Sequence, residues 1–105
     1  MQRIRSLLQQ LRDMLDKGGE HHFVEIIDAA LAGDDPALTS FLTSNELWGG
    51  AGSIADQAVG PARDTRRPLE RLLAELGREQ MRLGITNPRT ETWTSVFEQW
   101  NIQNI

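Results

Sequence analysis

The chain has 105 residues with no cysteine and a net charge of −4. This length suits one domain, so we predict a single domain over residues 1–105. The lack of cysteine excludes disulfides, thiolate metal sites and cysteine nucleophiles. The apolar runs are too short to cross a membrane, and no apolar segment follows the basic residues near the N-terminus. We therefore expect a cytoplasmic protein with no membrane partner.

Charge is unevenly distributed along the chain. Residues 1–60 hold four basic and nine acidic side chains, a net of −5, whereas residues 61–89 hold seven arginines and four acids, a net of +3. A net acidic chain binds nucleic acid poorly, because phosphate contacts require a basic surface. We interpret the arginine-rich segment 63–82 as a solvated helix face with alternating ion pairs. Its contact with nucleic acid, as in a regulator, is the alternative.

Three helices are predicted in the first half of the chain. Residues 4–15 carry apolar side chains at helical spacing, and the glycine pair 18–19 ends this helix. Residues 23–31 repeat the pattern, and Gly33 ends the second helix. The dipeptide Asp35-Pro36 predicts the start of a short third helix, because it offers a capping oxygen and then a proline.

The second half is also predicted to be helical. A short helix over residues 54–59 is followed by a loop over residues 60–67 and by a long helix that begins at Pro68 and ends at Gly84. A last helix begins between residues 87 and 90, and no alternating strand pattern competes with these helices. The sequence thus predicts an all-α fold, a compact bundle of four main helices plus one or two short helices.

Residues 49–53, here called the glycine loop, are the most distinctive segment. They contain Gly49, Gly50 and Gly52, and Ser53 then begins a short helix. We interpret the loop as a tight connection in which only glycine allows close approach or a positive φ. Two alternatives remain: an enzyme or small-anion site at the helix start, and a partner-binding loop that presents Trp48. The lysine of a nucleotide-binding P-loop is missing.

Residues 46–56 read ELWGGAGSIAD. This segment resembles a family of small bacterial proteins of unknown function. The shared motif is an aromatic residue, Gly-Gly-x-Gly-Ser, an aliphatic residue, x and Asp. The resemblance covers about residues 1–60, implies a helical fold, and brings with it no activity and no functional residues.

The residues that could carry catalysis or bind metal are few. His21 and His22 are adjacent, so on a helix they point about 100° apart and cannot easily share a metal ion. Glu25 lies three residues after His22, but so small a ligand set does not make a metal site. No serine or threonine stands in a nucleophile context. We therefore expect no enzyme activity, no cofactor and no metal.

We predict a small non-catalytic domain that binds another protein. In its sharpest form it is a bacterial immunity protein, whose acidic surface attracts a basic toxin. Trp48 is either a core plug or the anchor of this interface, and four acids would form the charged rim. These acids are Glu46, Asp56, Asp34 and Asp35.

Overall fold

The computed structural model describes residues 1–57 and 63–103, without the side chains of residues 63–65. This part of the chain contains six helices and no strand. In chain order they are α1 (Gln2–Lys17), α2 (His21–Ala32), α3 (Asp35–Leu42), α4 (Ile54–Gln57), α5 (Arg63–Leu83) and α6 (Thr90–Gln103). The all-α prediction is confirmed, with four main helices and two short ones.

The first three helices follow the predicted pattern closely. Helix α1 buries its apolar stripe and ends at Gly18, and Gly19 then turns the chain with φ of 78°. Helix α3 is capped one residue earlier than predicted. The Asp34 carboxylate accepts the amide of Ala37 at 3.0 Å, which leaves Pro36 as the second helical residue. An aspartate oxygen thus satisfies an amide that the helix itself cannot bond.

Helix α5 begins earlier than predicted. The predicted loop over residues 60–67 is wrong from Arg63 onward, because α5 already starts there and Pro68 is its sixth residue. Pro68 lies beyond the first four amides, which lack intrahelical partners in any helix, so it removes the one backbone bond that an amide at this position would make to the carbonyl of residue 64. Residues 58–62, which complete the predicted short helix and begin the predicted loop, lie outside the described residues.

Side-chain contacts hold the first turns of α5 in place. The Arg66 Nε lies 2.7 Å from the Glu70 Oε1, one turn further along, and Glu70 is fully buried. The same guanidinium sits 5.6 Å from the centre of the Trp100 ring on α6. A cation over an aromatic face is attractive. These contacts compensate in part for the proline that follows.

Helices α5 and α6 form the most extensive helix pair. They approach closely at Gly77, where an added β-carbon would lie 1.9 Å from the Thr94 hydroxyl oxygen. On α6 the Trp93 ring stacks on the Phe97 ring at 5.4 Å. Helix α6 continues to Gln103, so residues 101–103 are helical.

A single cluster of buried apolar side chains is shared by all six helices. It is built mainly from the leucines of α1 and α5, the inner faces of α2 and α3, and Phe97 of α6. Leu47 and Trp48 join it from the connection between α3 and α4, and both are fully buried. Within the described ranges, no helix combines the length and apolarity needed to cross a membrane.

Candidate functional site

Trp48 is a core residue. Its side chain has no exposed surface, and the indole Nε1 donates to the Gln80 Oε1 at 2.8 Å. The Gln80 amide nitrogen donates in turn to the carbonyls of Leu42 at 3.1 Å and Ile85 at 2.9 Å. The core-plug alternative is therefore the one the structure shows. Trp48 is not an interface anchor in this structure, because its ring has no exposed surface that a partner could contact.

Side chains from the C-terminal half also hold the backbone around Trp48. The Asn87 amide nitrogen donates to the carbonyls of Ser44 and Trp48, both at 2.9 Å. The indole Nε1 of Trp93 donates to the carbonyl of Gly49 at 3.0 Å. The connection between α3 and α4 is thus fixed by polar contacts from α5, α6 and the turn between them.

The glycines of the loop serve close packing and turning. A β-carbon on Gly49 would lie 2.1 Å from the backbone oxygen of Asn45, a distance that no real side chain tolerates. Gly52 has φ of 87°, which L-residues rarely adopt. Gly50 is exposed, and among the described residues an added β-carbon would meet only the Arg89 guanidinium, at 3.4 Å. These observations support the interpretation of the glycine loop as a tight connection.

The amides at the start of α4 are already bonded within the chain. The amide of Gly52 donates to the Asp56 Oδ2. The next three amides donate to backbone carbonyls: Ser53 to Gly50, Ile54 to Glu46, and Ala55 to Leu47. The Ser53 hydroxyl, almost fully buried, accepts from the amide of Asp56 at 3.1 Å. Ser53 and Asp56 thus cap the start of α4 as in a capping box, except that the Asp56 carboxylate accepts from the amide of Gly52 instead of that of Ser53. The amides of residues 52–55 are not available to an anion.

The predicted rim acids do not surround an accessible aromatic ring. Asp34 caps α3, and Asp35 pairs with the Arg5 guanidinium at 2.8 Å. The Asp56 carboxylate accepts the amide of Gly52 at the start of α4. Glu46 is exposed, and its carboxylate forms no hydrogen bond with the residues that the structure describes. The structure thus separates these acids by role, and three of the four stabilise the fold.

Three of the five α5 arginines whose side chains the structure describes are paired with carboxylates. Arg78 binds Glu98 on α6, and Arg82 binds Glu79 one turn back. These hydrogen bonds lower the pKa of both glutamates below the ordinary value. The arginines line a groove of about 680 Å³ between α5, α6 and the start of α1. A phosphate would have to displace carboxylates from Arg78 and Arg82 there, whereas Arg71, which also lines the groove, has no acidic side-chain oxygen within 4 Å among the described residues. The interpretation as an ion-paired face therefore holds for part of this groove.

The histidine pair lies at the surface. His21 and His22 are both exposed, and the His21 Nδ1 lies 3.9 Å from the Asp16 Oδ1. Among the residues that the structure describes, no three histidine or acidic side chains converge as metal ligands would.

A second groove, between α2 and α3, was missed by the sequence analysis. Its volume is about 440 Å³, and its lining is mostly apolar: Ile26, Ala29, Ala30, Ala37, Ser40, Phe41, Ser44 and Glu46. The signal that could have found it is the run of small residues at helical spacing on the outer faces of both helices. Small side chains leave space between helices where larger ones would fill it.

No protein-family model, curated protein or solved structure matches the chain. The resemblance of residues 46–56 to small bacterial proteins therefore stays a prediction.

Proposed function

We propose that this protein is a small non-catalytic binding domain whose acidic N-terminal half recognises a basic protein. The observation that carries the proposal is the unequal pairing of charge. Five acids of the N-terminal half lie more than 4 Å from any basic side-chain nitrogen of the described residues: Glu20, Glu25, Asp34, Glu46 and Asp56. On α5, the arginines at 66, 78 and 82 each have a carboxylate partner, whereas Arg67 and Arg71 have no acidic side-chain oxygen within 4 Å among the described residues.

This difference decides which charges are offered to a partner. Opposite charges in contact cancel at a distance, whereas unpaired carboxylates produce a negative potential that attracts a basic protein. Such steering raises the association rate and falls with added salt. Nucleic acid would be repelled from the N-terminal half and would find three of the five described α5 arginines paired with carboxylates, so the regulator alternative is disfavoured.

The sharpest form of the proposal is an immunity protein that neutralises a basic toxin encoded beside it. The test is to express the adjacent gene product with and without this chain and to follow cell growth. We expect growth arrest that the chain relieves, and we expect Glu25→Lys/Glu46→Lys to lose that protection. Glu91→Lys changes an exposed acid on α6 and should protect normally. An adjacent product without toxicity, or equal protection by all variants, contradicts the proposal.

A further inference from the structure

The groove between α2 and α3 has an apolar floor whose residues are buried or half-buried. Ile26 is half-buried, while Ala30 and Phe41 each retain 7% of their surface. Ala29 and Ser40 flank the groove and are exposed. Helices α2 and α3 touch each other far less than α1 touches α2. An apolar side chain from outside would thus find contacts that this chain does not itself complete.

The length of the groove fits two turns of a helix. Helix α3 has eight residues, so at 1.5 Å per residue it extends about 12 Å. Residues i and i+7 of a docked helix are separated by about 10.5 Å along its axis. Three apolar anchors, at i, i+3 or i+4, and i+7, would therefore lie over the floor, as in helix-in-groove recognition.

Unpaired acids lie at both ends of this groove. Glu46 is one of its lining residues, and Glu25 immediately precedes Ile26 on α2. Asp34 stands in the turn that joins the two helices at the other end. None of these three acids has a basic side-chain nitrogen within 4 Å among the described residues. The apolar floor is thus bordered by negative charge that this part of the chain leaves uncompensated.

Resting on the proposed function, we propose that the groove docks a basic amphipathic helix of the partner. The apolar face of that helix lies on Ile26 and Phe41, and its lysines or arginines face Glu25, Asp34 and Glu46. The apolar contacts supply affinity, and the charges select a cationic helix over a neutral or acidic one.

The first experiment uses three synthetic peptides of eighteen residues and the intact ¹⁵N-labelled chain. One peptide places leucines along a single helical face with lysines elsewhere. The second has the same composition in scrambled order, and the third replaces the lysines with glutamates. Only the first peptide, here called the lysine peptide, should cause chemical shift changes, and these should concentrate on residues 25–46. Equal binding of the scrambled peptide would overturn the docked helix.

The second experiment places a cation in the groove. Ala29→Arg and Ser40→Arg alter exposed lining positions, so the fold should persist, with circular dichroism as the check. Each variant should weaken binding of the lysine peptide at least about tenfold. Ser95→Arg adds the same charge to an exposed position on α6 and should change the affinity less than about twofold.

The outcomes separate this inference from the proposed function. Unchanged peptide binding by Ala29→Arg and Ser40→Arg overturns the groove, although toxin protection that depends on the acids would still support a basic partner. Toxin protection that does not depend on the acids overturns the proposed function, and with it the proposal that the groove docks a basic helix. Self-association of the chain that Ala29→Arg abolishes, seen by sedimentation, would assign the groove to a second copy and overturn the basic helix.

Discussion

Replacing Gln80 with leucine tests the polar link that holds Trp48 in the core. Gln80 is fully buried, and its amide accepts one hydrogen bond and donates two. The Gln80→Leu variant leaves the Trp48 Nε1–H and two carbonyls without these partners. A buried unsatisfied polar group costs about 1–3 kcal/mol. We expect a loss of about 3–5 kcal/mol in the free energy of unfolding.

Urea unfolding followed by circular dichroism at 222 nm measures this loss, with Gln99→Leu on the exposed face of α6 as the matched control. A double-mutant cycle with Trp48→Phe isolates the bond between the two side chains. The double variant should lose less than the sum of the single variants by about 1 kcal/mol or more. A loss below about 1 kcal/mol for Gln80→Leu, close to that of the control, would refute the reasoning.

Three further perturbations test the fold. Gly49→Ala should lower the free energy of unfolding by about 2 kcal/mol or more, because its β-carbon meets a backbone oxygen at 2.1 Å, whereas Gly50→Ala should be nearly neutral in the same urea titration. Asp34→Ala removes the α3 cap and should cost about 1 kcal/mol by thermal unfolding; no change would contradict the cap. Burial raises the pKa of Glu70, so stability from this group falls as pH rises from about 4.3 through the folded pKa. The Glu70→Gln variant has no titrating group at this position, so its melting temperature should rise relative to that of the wild type as the pH increases above about 4.3; a difference that does not change with pH would contradict the assignment.

Most of the helices could be predicted because apolar spacing and end signals act locally. The stripe over residues 4–15 and the glycine pair 18–19 together define α1 from its own residues. The start of α5 could not be found this way. Pro68 and the preceding glycine and proline are local end signals, whereas the contact of Arg66 with Trp100 joins residues far apart in the chain.

The candidate site was harder to predict than the fold. Whether Trp48 faces the core or the solvent depends on Gln80, 32 residues away, and the sequence signal was only a polar residue within an apolar stripe. Glu46 was predicted as a rim acid around Trp48 and instead lines the groove between α2 and α3. That groove depends on how two helices with small outer residues pack, which spacing along the chain does not specify.

The most direct test of the proposed acidic recognition surface is the salt dependence of association with the product of the adjacent gene, which the proposal takes as the partner. Stopped-flow fluorescence would follow complex formation at about 20 mM and about 300 mM salt. We expect the association rate to fall about tenfold or more between the low and the high salt concentration. We also expect the Glu25→Lys/Glu46→Lys variant to associate more slowly than the wild type at low salt. An association rate that neither salt nor these substitutions change would contradict the proposal.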